Sequence, residues 1–182
     1  DRALVVMDEA YVEFSDAPSA VKLVKSYPQL VVLRTLSKAW AAAGVRCGSV
    51  IASRDIINLL LRVIAPYPLS VTAIDAALRA ISEEAQSRQK AFLEEVAQTK
   101  ANFLDFLASC DWLEVVGDQQ ANFVLVRVDE ANRLVNWCAD RDIKIRNFSG
   151  QPALQGCVRL TIGGPEEMTA VKRALSAYGE QL

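Results

Sequence analysis

Two short, uninterrupted apolar runs, Ala3–Met7 (ALVVM) and Leu30–Leu33 (LVVL), constrain this chain more than any other feature. A strand with one wet face alternates apolar and polar residues, whereas a strand that is apolar at every position is covered on both faces, as in a parallel sheet. A polar turn around Asp16 and Pro18 and a short helical stretch near Ala20–Lys25 separate the two runs, and a third run, Cys47–Ile51, follows with Gly44 and Gly48 around its entry. Strands of this kind with helices between them belong to an α/β layer. Buried strands need neighbours on both sides and seldom open a fold. Because Ala3–Met7 stands at the start with no Met before it, the chain is expected to be the later part of a longer one.

Downstream the texture changes. Ser53 is placed to cap a helix over Arg54–Ile64, which Pro66 and Pro68 stop. From Ser70 to about Ser109 the pattern is helical throughout, with Phe92, Val96, Phe103 and Leu107 on one apolar stripe. After Asp111, Leu113–Val116 and Ala121–Val128 are expected as strands joined by the turn GDQQ. A helix over Ala131–Arg141, strands near Lys144–Arg146 and Cys157–Ile162, and a helix from Pro165 to about Tyr178 complete a compact α+β unit. The expected organisation is 1–80, an incomplete α/β domain; 81–110, a long connecting helix; and 111–182, a small α+β domain.

Composition removes several classes of chemistry. The chain has no histidine, so no His-based triad and no His-ligated metal is available, and no metal site is expected. Its formal charge of −2 disfavours a nucleic-acid or anionic-membrane surface, and no apolar run is long enough to span a bilayer. Cys47, Cys110, Cys138 and Cys157 stand far apart, which suits reduced thiols in a cytoplasmic protein better than a disulfide frame.

Two clusters carry chemistry. In VVMDEAY, residues 5–11, an apolar strand ends in Asp8, Glu9 and Tyr11. Such an ending suits a Walker B element of an ATP-binding module, but the accompanying phosphate-binding G-x-x-x-x-G-K-[ST] loop is not in the sequence. In RTLSKAWAAAGVRCG, Lys38 follows the strand Leu30–Leu33, with Thr35, Ser37 and Arg46 near it in sequence. A lysine held dry beside an arginine has a lowered pKa, which an amine needs in order to form an imine with an aldehyde. Hydroxyls and a guanidinium bind a phosphate monoester. An aldehyde that also carries phosphate describes pyridoxal 5′-phosphate, and Asp8 can supply the anion its pyridine nitrogen requires.

D-E-A-Y, T-L-S-K-A and G-x-R-x-G, in that order, resemble the fold type I pyridoxal-phosphate aminotransferases. The continuation to IAPYPLS, with GCVRLTIG near the end, is similar to the histidinol-phosphate aminotransferase subfamily. The resemblance covers the whole chain but only the later half of such an enzyme. It implies the end of a three-layer α/β/α large domain, with a mixed, mostly parallel sheet, followed by a small α+β domain. It further implies that Lys38 bonds the cofactor's aldehyde carbon, Asp8 partners the pyridine nitrogen and Tyr11 donates to the ring oxygen. Thr35, Ser37 and Arg46 align with the cofactor-phosphate group. Arg159 aligns with the arginine that clamps a substrate carboxylate, and Arg146 with one that contacts a distal phosphate. Alternation supports Arg159 independently, since Val158, Leu160 and Ile162 share one strand face and leave Arg159 and Thr161 on the other.

The implied reaction transfers an amino group between L-histidinol phosphate and 2-oxoglutarate, a step of histidine biosynthesis, in a homodimer. Histidinol phosphate has no α-carboxylate, so Arg159 would serve glutamate or 2-oxoglutarate. Three readings stay open beside it: an aromatic or broad-range aminotransferase, a phosphate-ester amino acid decarboxylase of the same family, and the ATP-binding module. The family's earlier half supplies a phosphate-binding turn, a stacking aromatic and an asparagine. The 182-residue chain alone is therefore expected to bind the cofactor weakly and to turn over poorly.

Overall fold

The structure is a computed structural model that describes residues 3–182. Two compact units divide it, one running up to Leu93 and the other covering Glu94–Leu182. The first unit is built on a three-stranded mixed sheet, β1 (Val5–Asp8), β2 (Leu30–Thr35) and β3 (Gly48–Ala52), in the order β1-β2-β3. β1 and β2 are parallel, in a register that sets Asp8 beside Leu33, and β3 runs antiparallel to β2 with Gly48 opposite Thr35. Three 3₁₀ turns lie at Val12–Phe14, Ala20–Leu23 and Ala43–Val45.

Central position decides burial here. Leu30, Val31 and Val32 of β2 are buried, as expected for a strand flanked on both sides. β1 differs from expectation: all four of its residues are exposed, Val6 at 56%. The run is apolar as a doubly covered strand would be, yet it forms the sheet edge and no layer among the described residues covers it. An apolar edge of this kind is a pairing surface.

Helices α1 (Arg54–Leu60) and α2 (Val71–Ala80) follow. α1 ends earlier than the expected Ile64, and residues 61–64 close as turns. The Ser53 hydroxyl does not cap α1; it donates to the Pro28 carbonyl at 3.0 Å. The expected single helix over 70–109 is in fact two, α2 and α3 (Glu83–Leu107), with a break at Ile81–Ser82. Side-chain caps cause the break. Ser70 accepts from the Ala73 N–H at 3.2 Å, and Ser82 accepts from the Ala85 N–H at 3.3 Å, so each helix satisfies its own first turn. A continuous apolar period conceals such a restart.

The second unit holds a four-stranded antiparallel sheet of β4 (Glu114–Val115), β5 (Phe123–Arg127), β6 (Arg146–Asn147) and β7 (Cys157–Thr161), ordered β4-β5-β7-β6. Helices α4 (Ala131–Ala139) and α5 (Pro165–Gly179) complete it. Its core pairs Val124 with Leu160 and Val126 with Val158, all at 0–1% exposure, joined by Phe103, Leu107, Leu134 and Leu175. Full burial of each such side chain stabilises by about 1.5–3 kcal/mol. Pro165 opens α5, where the Gly164 N–H donates to the Glu167 carboxylate at 2.8 Å. Among the described residues no helix is long and apolar enough to cross a membrane.

Candidate active site

The first unit gathers its chemistry at the carboxyl ends of β1 and β2. β1 ends at Asp8, whose Oδ1 accepts from the Ala10 N–H at 3.0 Å, turning the chain sharply after the strand. The turn brings Tyr11 round to the neighbouring strand's loop, and the Lys38 Nζ lies 5.1 Å from the centre of the Tyr11 ring. An ammonium over an aromatic face is held by the ring quadrupole, at roughly 0.5–1 kcal/mol for an exposed site.

Lys38 stands on a tight loop, residues 36–47, between β2 and β3. Leu36 fastens that loop twice: its N–H donates to the Cys47 carbonyl at 3.1 Å, and its carbonyl accepts from the Ala42 N–H at 3.0 Å. The Ala41 N–H closes a further turn on the Lys38 carbonyl at 3.0 Å. Three residues before Lys38, the Thr35 hydroxyl donates to the Ser37 hydroxyl at 2.9 Å and accepts from the Ser37 N–H at 3.1 Å. The two hydroxyls and one backbone N–H therefore converge on each other at the residue just before Lys38.

Arg46 closes the same loop in the left-handed region, φ 56°, and its Nη1 donates to the Ala43 carbonyl at 3.1 Å. Its guanidinium thus braces its own turn, and no direct bond joins it to Thr35 or Ser37. Lys38 is also exposed, not dry as expected: its loop runs beyond the end of β2, and the Tyr11 ring alone does not cover it.

Behind these groups lies a network that the sequence pattern did not single out. Glu9 is 7% exposed. Its Oε2 accepts from the Ser19 hydroxyl at 2.7 Å and its Oε1 from the Ala20 N–H at 2.5 Å. Arg34 bridges Glu9 at 3.4 Å and Glu13 at 2.7 Å. Residue types alone do not reveal the burial of Glu9; the register of β1 on β2 does. In a parallel pair with Asp8 beside Leu33, Glu9 and Arg34 must fall next to each other.

The second unit carries the remaining candidates. β6 and β7 pair Arg146 directly with Arg159, and on its other side Arg159 faces Leu125 of β5. The expected alternation holds, with Val158, Leu160 and Ile162 buried and Arg159 on the opposite face. The Arg159 guanidinium lies 5.0 Å from the Phe123 ring and 5.8 Å from the Phe148 ring, and that of Arg146 lies 5.8 Å from Phe148. The Arg159 Nε is buried without a hydrogen-bond partner. Like charges directly opposite on neighbouring strands repel. Two arginines paired across strands, one with an unused buried donor, offer the donors that a dianion or two anionic groups would need.

The Aminotransferase class I and II family, as a sequence model, matches residues 1–175. The chain belongs to that family. A histidinol-phosphate aminotransferase of Yersinia pestis (strain Pestoides F) is 42% identical over 175 residues, which make up 96% of this chain and 46% of that protein. Among solved structures, the histidinol-phosphate aminotransferase of Clostridium acetobutylicum superposes with a TM-score of 0.89 at 25% identity, over 98% of this chain and 55% of that one. The enzyme of that name from Sinorhizobium meliloti, solved in complex with pyridoxal-5′-phosphate, gives 0.84 at 25% identity, over 98% and 49%. This family member spans about half the length of the curated relatives it matches.

Proposed function

We propose that this chain carries the lysine-bearing part of a pyridoxal-phosphate-dependent aminotransferase acting on L-histidinol phosphate and 2-oxoglutarate, a step of histidine biosynthesis. The observation that carries this reading is the exposed Lys38 amine held against Tyr11 on the 36–47 loop, directly after the paired hydroxyls of Thr35 and Ser37 in the chain. The donor set fits the cofactor group by group. Lys38 offers an amine for the aldehyde, Asp8 a carboxylate for the pyridine nitrogen and Tyr11 a phenol for the ring oxygen. The Thr35 and Ser37 hydroxyls, the Ser37 N–H and the Arg46 guanidinium suit the phosphate. When bound, pyridoxal phosphate withdraws electrons from the amino-bearing carbon and acidifies its C–H.

The protein's own groups supply the rest. Asp8 keeps a proton on the pyridine nitrogen. The Lys38 Nζ removes the substrate's C–H proton and returns it from a position about 3–3.5 Å from the reacting carbon. Arg159 takes a carboxylate of glutamate or 2-oxoglutarate on its fork. Arg146 takes the phosphate ester of the amino donor. We also infer that the working enzyme is a cytoplasmic homodimer whose large and small domains are joined by the helical span 81–110. The 182-residue chain on its own would then turn over slowly.

The test is a single-turnover assay of the chain loaded with pyridoxal phosphate. Glutamate should form from 2-oxoglutarate when L-histidinol phosphate is the donor and far less with unphosphorylated L-histidinol. Arg146→Ala should slow only the phosphorylated donor. Equal use of both donors, with Arg146→Ala slowing them alike, would overturn the substrate assignment.

A further inference from the structure

The chemistry proposed above leaves Glu9 unused, although it is the one buried charged residue of the first unit among the described residues. A carboxylate taken out of water is costly unless donors surround it. Glu9 has three: the Ser19 hydroxyl, the Ala20 N–H and the Arg34 guanidinium, with Arg34 held in turn by Glu13. Successive side chains on a strand point to opposite faces. Asp8 and Glu9 therefore project to opposite sides of the sheet, and so do Arg34 and Thr35. The parallel register places Asp8 with Leu33, and the Glu9 N–H donates to the Leu33 carbonyl at 2.9 Å, so Glu9 and Arg34 share the rear face. One strand end carries Asp8 ahead of Glu9 and Tyr11 behind it. The other carries Thr35, Ser37 and Lys38 just beyond Arg34.

Resting on the function proposed above, we infer that Glu9 and Arg34 are positioning residues: their half-buried ion pair clamps the ends of β1 and β2 from behind, so that Asp8, Tyr11 and Lys38 address one bound molecule. Glu9 also fixes the return of the chain, because its Oε1 holds the Ala20 N–H at the start of the 3₁₀ turn Ala20–Leu23. The chain between Tyr11 and Ser19 is thereby closed into a loop, and Glu13 within it reaches Arg34. β1 lies at the sheet edge with all its residues exposed, so core packing does little to hold its end. A side-chain clamp does what packing does not.

The experiment compares the chain with its Arg34→Met, Arg34→Lys and Glu9→Gln variants. Each is incubated with pyridoxal phosphate, reduced with borohydride and mapped by peptide mass spectrometry, with far-UV circular dichroism used to select folded protein. The quantity read is the label on Lys38 relative to the exposed Lys22 and Lys25. Misplacement by a fraction of an ångström costs reacting groups heavily, so Arg34→Met and Glu9→Gln should lower that ratio about tenfold. Arg34→Lys keeps the charge and should restore most of it, which a role in stability alone would not require of folded protein. If Glu9→Gln does not fold, the Arg34→Met and Arg34→Lys comparison decides. Wild-type selectivity for Lys38 that persists in Arg34→Met overturns the positioning role and leaves the proposed function standing. Wild-type protein with no preference for Lys38 overturns both.

Discussion

Replacing Gly48 by alanine would bring a methyl carbon to 2.8 Å from the Arg34 carbonyl oxygen, with backbone atoms of Arg34 and Thr35 next in line at 3.9 Å. These are neighbours across β2 and β3, and backbone in a paired strand cannot swing aside as a side chain would. Overpacking of this kind costs about 1–3 kcal/mol, from which the lost freedom of the unfolded chain returns about 0.4–1 kcal/mol. The net expectation is a loss of about 1–2 kcal/mol. Gly44, the first glycine of the same G-x-R-x-G motif, has no atom within 4 Å of an added Cβ. Gly44→Ala should therefore be neutral or stabilise by up to about 1 kcal/mol. Urea unfolding followed by far-UV circular dichroism measures both. Because Gly48 pairs with Thr35 at the root of the loop that carries Lys38, Gly48→Ala should also weaken borohydride trapping at Lys38. The reasoning is refuted if Gly48→Ala unfolds at the wild-type urea midpoint, or if Gly44→Ala proves the more costly change.

Three further outcomes follow from the second unit. Phe103 is fully buried and stacks on Phe106 at 6.1 Å, so Phe103→Ala should cost about 3–5 kcal/mol in denaturant unfolding. Burial pushes the Cys138 thiol from its ordinary 9.0 up to about 11, with Arg141 offsetting a small part. Its raised folded pKa leaves stability intact below pH 9 and removes about 2–3 kcal/mol as pH rises from 9 through 11, because only the unfolded state ionises readily there. A stability–pH curve should show that fall in the wild type and a shallower one in Cys138→Ala. Glutarate, a dicarboxylate, should raise the melting temperature of the wild type and leave that of Arg159→Leu unchanged, since binding to the folded state alone stabilises it.

Much of the candidate site was legible because its groups are local in sequence. Thr35, Ser37 and Lys38 lie within four consecutive residues, so the pairing of the two hydroxyls just before the lysine needed no long-range information. Arg159 was legible by alternation, as the one charged position in a strand whose other face is apolar. The same period misled at two places. It joined α2 to α3, because a serine cap such as Ser82 interrupts a helix without interrupting its stripe. It also made β1 look covered, because apolar composition reports what a strand can bury, not what lies beside it.

The pairing of Arg146 with Arg159 and the clamp of Glu9 on Arg34 depend on strand register, which residue types alone do not set. The exposure of Lys38 was equally hidden. Sequence places the lysine at a strand end but does not say how far the following loop carries it from the sheet.

The most direct test of the account is where pyridoxal phosphate becomes attached after borohydride reduction of the chain. The account predicts a peptide adduct on Lys38 in preference to every other lysine, abolished by Lys38→Ala. A label that falls mainly on another lysine, and that Lys38→Ala leaves unchanged, would contradict it.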